Sequence, residues 1–189
     1  MAKTKRTSST DKKTAKIDAR IAAELAALDA DGLFARMQTL VDELPAMEDK
    51  GRRAQRAREA AKIDSLAGEQ QAHAATLAHL DGLLDEHMAA RNEALAAQDG
   101  QREESERMTI LRLNEQRGYS QGAAENAAGT LAHALENSSF QTVEEARGAL
   151  MPKDELAALE EEVLFFGRDY SQTLAACQKA LDEQEAAES

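Results

Sequence analysis

The chain has 189 residues, 35 acidic against 23 basic, for a formal net charge of −12, and a single cysteine, Cys177. One cysteine rules out an intramolecular disulfide and a Cys-based zinc site built by one copy. Ala, Glu, Lys, Leu and Arg account for 105 residues while Val and Ile together number seven, a composition that belongs to long helices and leaves too few β-branched side chains to fill a sheet.

Residues 1–13 are nearly free of apolar side chains and are expected to be a disordered basic leader. Residues 1–20 carry seven basic against two acidic groups, a net of +5 that leaves −17 for the rest. Such a leader fits contact with nucleic acid phosphates as well as simple solvation.

A first helix is expected over 14–47. Ile17, Ile21, Leu25 and Leu28 lead into Leu33, Met37, Leu40, Leu44 and Met47 at steps of three and four, with a slip near Asp31-Gly32. Pro45 removes a helical N–H and crowds the preceding turn, so a break is expected over 45–51, ending at Gly51.

A long coiled-coil helix is expected over 52–136. Ile63, Leu66, Gln70, His73, Leu77, Leu80, Leu84 and His87 alternate steps of three and four without error, which is a heptad seam. The stripe must be covered by another helix of the same chain or of a second copy. Over 98–130 the seam fades and Gly100, Gly118, Gly122 and Gly129 intervene; each glycine inside a helix costs about 1 kcal/mol relative to Ala. Breaks are expected there, with 118–122 as one place.

Asn137-Ser138-Ser139 stops this helix. Thr142 with Glu145 three residues on forms a capping-box pair, which starts a short helix over 143–150. Pro152 suits the first turn of a last coiled-coil helix, 152–187. Its seam reads Leu156, Leu159, Val163, Phe166, Tyr170, Leu174, Cys177 and Leu181. The expected fold class is all-α, an elongated coiled coil or helical hairpin with no sheet.

Leu, Ile, Val and Phe number only 32, so the seams are thin, and stability from burial at about 25 cal/mol per Å² is modest. That favours pairing with further helices, within the chain or in a homodimer. No apolar run approaches the ~18 residues of a membrane span and no signal-peptide pattern is present, so a cytoplasmic protein without membrane contact is expected.

Catalytic patterns are absent from the sequence. His73, His79, His87 and His133 lack metal-ligand spacing, and there is no phosphate-binding loop and no G-x-G-x-x-G turn. No cofactor, metal or catalytic residue is expected, and Cys177, at a seam position, reads as a small buried hydrophobe. The densest charge cluster is Lys50, Arg52, Arg53, Arg56, Arg58 and Lys62, opposed locally by Glu59 alone. It fits phosphate or an acidic partner surface, or a solvated face paired with acidic neighbours on another helix. Without interleaved aromatics it offers no base stacking.

The stretch Ser139-Phe140-Gln141-Thr142-Val143-Glu144-Glu145-Ala146, Ala149-Leu150, Met151-Pro152-Lys153-Asp154-Glu155-Leu156-Ala157-Ala158-Leu159, then Glu162-Val163 and Tyr170, resembles a phrase of SbcC-type, SMC-like ATPases. In that family a short helix interrupts the coiled coil between its apex and the C-terminal ATPase lobe. The likeness spans residues 131–185. It implies a non-catalytic arm segment, a spacer and dimerisation element, in a DNA double-strand-break-processing nuclease complex, with a metallophosphoesterase subunit and DNA as partners. The phosphate loop, signature motif, Walker B carboxylates and Cys-x-x-Cys hook of that family are missing here, so no catalytic residue carries over. The alternative is a free-standing coiled-coil scaffold or interaction protein, with the basic leader as a docking tail. A weaker third reading is a nucleic-acid-binding accessory protein using residues 3–20 and 50–62.

Overall fold

Leu, Ala and charged side chains at helical spacing produce five helices in the computed structural model, which describes residues 9–188. They are α1 (Ser9–Leu25), α2 (Ala30–Ala96), α3 (Gly100–Glu136), α4 (Val143–Gly148) and α5 (Lys153–Glu188). No strand occurs among the described residues, so the fold is all-α, as the scarcity of Val and Ile requires.

Several boundaries differ from the sequence expectation. Of the expected leader, residues 1–8 lie outside the described residues. Residues 9–13 belong to α1, where Lys12 and Lys13 are good helix formers. The break expected over 45–51 is absent, because α2 passes through Pro45 and Gly51. Pro45 and Val41, whose carbonyl loses its N–H partner, are both exposed. Water can serve that carbonyl, so the proline leaves no buried polar group unsatisfied.

The first interruption falls instead at residues 26–29, close to the slip in the periodicity. There the Asp29 carboxylate accepts the Gly32 N–H at 2.9 Å and starts α2. The second falls at residues 97–99, and α3 then runs unbroken through 118–122. Gln98 adopts φ 53°. Its N–H donates to the Leu95 carbonyl at 3.1 Å and that of Asp99 to the Ala94 carbonyl at 3.0 Å, the bond pair of a Schellman stop. Asp99 then caps α3 by accepting the Arg102 N–H at 3.0 Å.

α4 is two residues shorter than expected. Thr142 accepts the Glu145 N–H at 3.1 Å, while the Glu145 carboxylate returns to the Gln141 N–H at 3.0 Å, one residue ahead of the capping-box position. Pro152 sits just outside α5 and its carbonyl accepts the Leu156 N–H at 2.9 Å.

The chain divides into two units: residues up to Gln55 together with those from Met151, and Arg56–Leu150. In the first unit α1, the first part of α2 and α5 enclose Ile21, Leu25, Leu33 and Cys177, flanked by Ile17, Phe34, Met37 and Phe165. Ile21 is fully buried, a gain of about 1.5–3 kcal/mol over an exposed isoleucine.

In the second unit, the remainder of α2 and α3 form an antiparallel hairpin. At one end Leu80, Leu84 and Leu113 pack together. At the other, Ala60, Ile63, Ala67 and Leu131 meet Phe140 and Ala146. Across this hairpin the seam residues Ile63, Leu80 and Leu84 are buried and Leu66 and Leu77 half-buried, whereas His73 is exposed.

The α5 seam departs further from expectation. Leu156, Leu159, Val163 and Tyr170 are half-buried and Phe166 buried, but Leu174 and Leu181 are 39% and 47% exposed. The buried positions are Phe166, Asp169, Thr173 and Cys177. Three steps over those eleven residues follow the 3.6-residue period of a straight helix, while a strict heptad drifts off it by about 20° per repeat.

Candidate functional site

Charged and polar side chains show where the sequence has invested its chemistry. In the first unit, Arg36 on α2 reaches Asp169 on α5 with two bonds, Nε to Oδ1 at 3.1 Å and Nη2 to Oδ2 at 2.8 Å. The same guanidinium meets Glu24 on α1 at 3.1 Å, and Glu24 also accepts from Arg20 at 2.9 Å. Thr173, fully buried, donates its hydroxyl to Asp169 at 3.1 Å. Three helices are thus joined through one fork-shaped cation, the geometry that suits bidentate carboxylate recognition.

The electrostatics follow the bonds. The Asp169 hydrogen bonds hold the Arg36 guanidinium above its ordinary value, against the opposing effect of burial. Hydrogen bonds from Arg20 and then Arg36 hold the Glu24 carboxyl below its ordinary value.

In the second unit, α4 and the segment before it are fastened to α2. Arg147 bonds Asp64 at 2.8 Å, which raises the Arg147 titration. Ser139 donates its hydroxyl to Glu59 at 3.2 Å. Arg56 lies 4.9 Å from the Phe140 ring centroid and bonds Glu145 at 3.2 Å. Phe140 fills the space beneath, and its N–H is taken by the Ser138 hydroxyl at 3.1 Å. Nearer the hairpin turn, His87 stands 2.6 Å from Glu106 and Arg91 2.7 Å from Glu103.

The basic cluster is accordingly divided in its use. Within the first unit Lys50 is paired with Glu162 of α5, and Arg52 lies near Asp49 and Glu48 of its own helix at 3.5 and 3.8 Å. Arg53 is exposed. Within the second unit Arg56 serves Phe140 and Glu145, as above, and Arg58 is exposed. Lys62 lines a shallow cavity of about 220 Å³ with Glu59, Ile63, Leu66, His133 and Asn137. The Thr130 and Ser138 hydroxyls also line that cavity, and each donates to a backbone carbonyl, of Asn126 and Leu135 respectively.

The Cys177 thiol is buried, and desolvation raises its titration above the ordinary value, which keeps it a thiol and a weak nucleophile. No group of three His, Cys, Asp or Glu side chains able to hold a metal occurs among the described residues, and none of the described helices is long and apolar enough to cross a membrane.

The Arg36–Asp169–Thr173 set was not legible as a site. Tyr170 and Leu174 are the bulkier residues at heptad spacing, and they draw the seam one position away from Asp169 and Thr173. The available signal was the spacing of Phe166, Asp169, Thr173 and Cys177 at steps of three and four. In comparisons with known proteins, the chain matches no family model, no curated protein and no solved structure.

Proposed function

We propose that this chain is a non-catalytic helical scaffold that works by pairing helix faces. The observation that carries this reading is where its ion pairs go. Arg36 to Asp169, Lys50 to Glu162, Arg147 to Asp64 and Arg56 to Glu145 all join different helices. An enzyme displaces titrations to prepare a group for proton transfer or attack. In this chain the displaced carboxylates and guanidiniums lie within ion pairs: Glu24, Arg36 and Arg147 in pairs that join different helices, and Glu104 with Arg107 in a pair inside α3.

The likeness of residues 131–185 to SbcC-type arms supports a more specific form of the proposal, an arm segment that acts as spacer and dimerisation element beside a metallophosphoesterase and DNA. What supports it is that the stretch carrying the likeness contains a folded joint: the stop at Asn137, buried Phe140, the Thr142 cap and the short α4. The free-standing scaffold is the alternative; a metallophosphoesterase gene beside this one would favour the arm, whereas salt-sensitive DNA binding lost on deleting residues 1–20 would favour the nucleic-acid accessory reading.

The test pairs two measurements. Lysine cross-linking in extract of the native cell should trap the chain in stoichiometric products with itself or with one other protein. The purified chain should turn over no nucleotide or phosphodiester. Turnover abolished by a single substitution, or a chain that cross-links to nothing, would sink the reading.

A further inference from the structure

α3 buries one face against α2 in the hairpin, through Glu103, Glu106, Ile110, Leu113 and Arg117, which are buried or half-buried. At about 100° per residue, the opposite side of the same helix carries Glu104, Met108, Leu111, Glu115 and Tyr119. On it Met108, Leu111 and Tyr119 are 49%, 55% and 76% exposed. Single exposed apolar side chains are ordinary, but three at steps of three and eight on one stripe repeat the helical period and leave a face without a partner. Gly118 lies at the edge of this stripe, and a Cβ added there would meet nothing within 4 Å.

We propose that this face pairs antiparallel with the same face of a second copy, about a two-fold axis that passes between the two α3 helices at the level between Leu113 and Asn114. The inference rests on the pairing function above and identifies the partner and the surface. Its basis is charge order. Arg112 and Glu115 are exposed, and among the described residues neither makes an ion pair. Neighbouring charges on the same helix are paired, Arg107 with Glu104 at 2.7 Å and Glu103 with Arg91 at 2.7 Å.

A two-fold axis at that level sets Arg112 of each copy opposite Glu115 of the other, so the ion pair forms twice. It also sets Met108 opposite Tyr119, a sulfur–aromatic contact. Leu111 falls beside Gly118 of the second copy, where the missing Cβ leaves room for it. A parallel, in-register pair would put Arg112 against Arg112 and Glu115 against Glu115, with like charges facing. An interface in which residue i meets j and j meets i is what a closed dimer requires.

The test is sedimentation velocity of the full chain over micromolar to millimolar concentration, with far-UV circular dichroism as the folding control. Four proteins are compared: the native chain, Arg112→Glu, Glu115→Arg and the double swap. The native chain should form a dimer. Each single swap should weaken it about ten-fold or more by placing like charges opposite each other, and the double swap should restore it. All four should keep the same helicity, since these side chains are exposed.

A native chain that stays monomeric throughout overturns the inference. So does a native dimer that both single swaps leave unchanged, because association then uses another face. Neither result touches the pairing function if cross-linking still captures a partner; the function fails when cross-linking captures none or when a turnover appears that a single substitution abolishes.

Discussion

Asp169 is the only charged side chain buried among the described residues, with 6% of its surface exposed. A carboxylate taken out of water loses hydration worth several kcal/mol, and only a well-placed cation with further hydrogen bonds offsets that loss. Arg36 supplies two bonds and Thr173 a third. Arg36→Ala should therefore destabilise the chain by about 2–4 kcal/mol, less than for a fully sealed pair because the Arg36 side chain is 24% exposed. Replacing the whole set, Arg36→Met with Asp169→Leu and Thr173→Val, should leave stability within about 1 kcal/mol of native, because neither an orphaned charge nor an orphaned hydroxyl remains. Urea unfolding of both variants checks this. An Arg36→Ala midpoint equal to that of the native chain would mean the pair does not hold the helices. The exposed ion pairs elsewhere, such as Lys13 with Glu161, are worth at most about 1 kcal/mol each.

At the scale of elements, the stops are decided by backbone bonds more than by the expected punctuation residues. Gly51, Gly118 and Gly122 all lie inside helices, while the hairpin turns at Gln98, with φ 53°. A side chain in that left-handed region is strained, and glycine relieves the strain at some entropic cost in the unfolded chain. Gln98→Gly should thus raise stability by about 0.5–1 kcal/mol, seen as a higher thermal midpoint with unchanged helicity. A lower midpoint would show that the Gln98 side chain contributes more than its backbone strain costs. The end of α3 and the start of α4 were legible because their signals are local: Asn137 closes one helix and Thr142, five residues on, caps the next.

At the scale of the whole molecule, the two units differ in how the chain builds them. Arg56–Leu150 is one continuous stretch with its own two clusters of buried side chains. The other unit needs α5 to complete a core that α1 and the first part of α2 only begin. A fragment of residues 56–150 should therefore fold alone, with strong helical dichroism and a sigmoidal melt. A fragment ending at Gln55 should not, since it lacks Phe165 and Cys177. A featureless melt of the 56–150 fragment would refute the prediction.

Helix content and fold class were set by the sequence alone, because propensity and the i to i−4 bond act between near neighbours. The heptad rows named some of the side chains that turn inward, Ile63, Leu80, Leu84, Phe166 and Cys177, and passed over the buried alanines Ala54, Ala57, Ala60, Ala67 and Ala94. What only the tertiary structure decided is which face of α5 is covered, where α2 continues through Pro45, and which acid answers each base. The covered face and the ion pairs depend on side chains far apart in the chain, 133 positions for Arg36 and Asp169, and no local period records such a partner. The drift between a 3.5-residue pattern and a 3.6-residue helix then carries Leu174 outward and Thr173 inward.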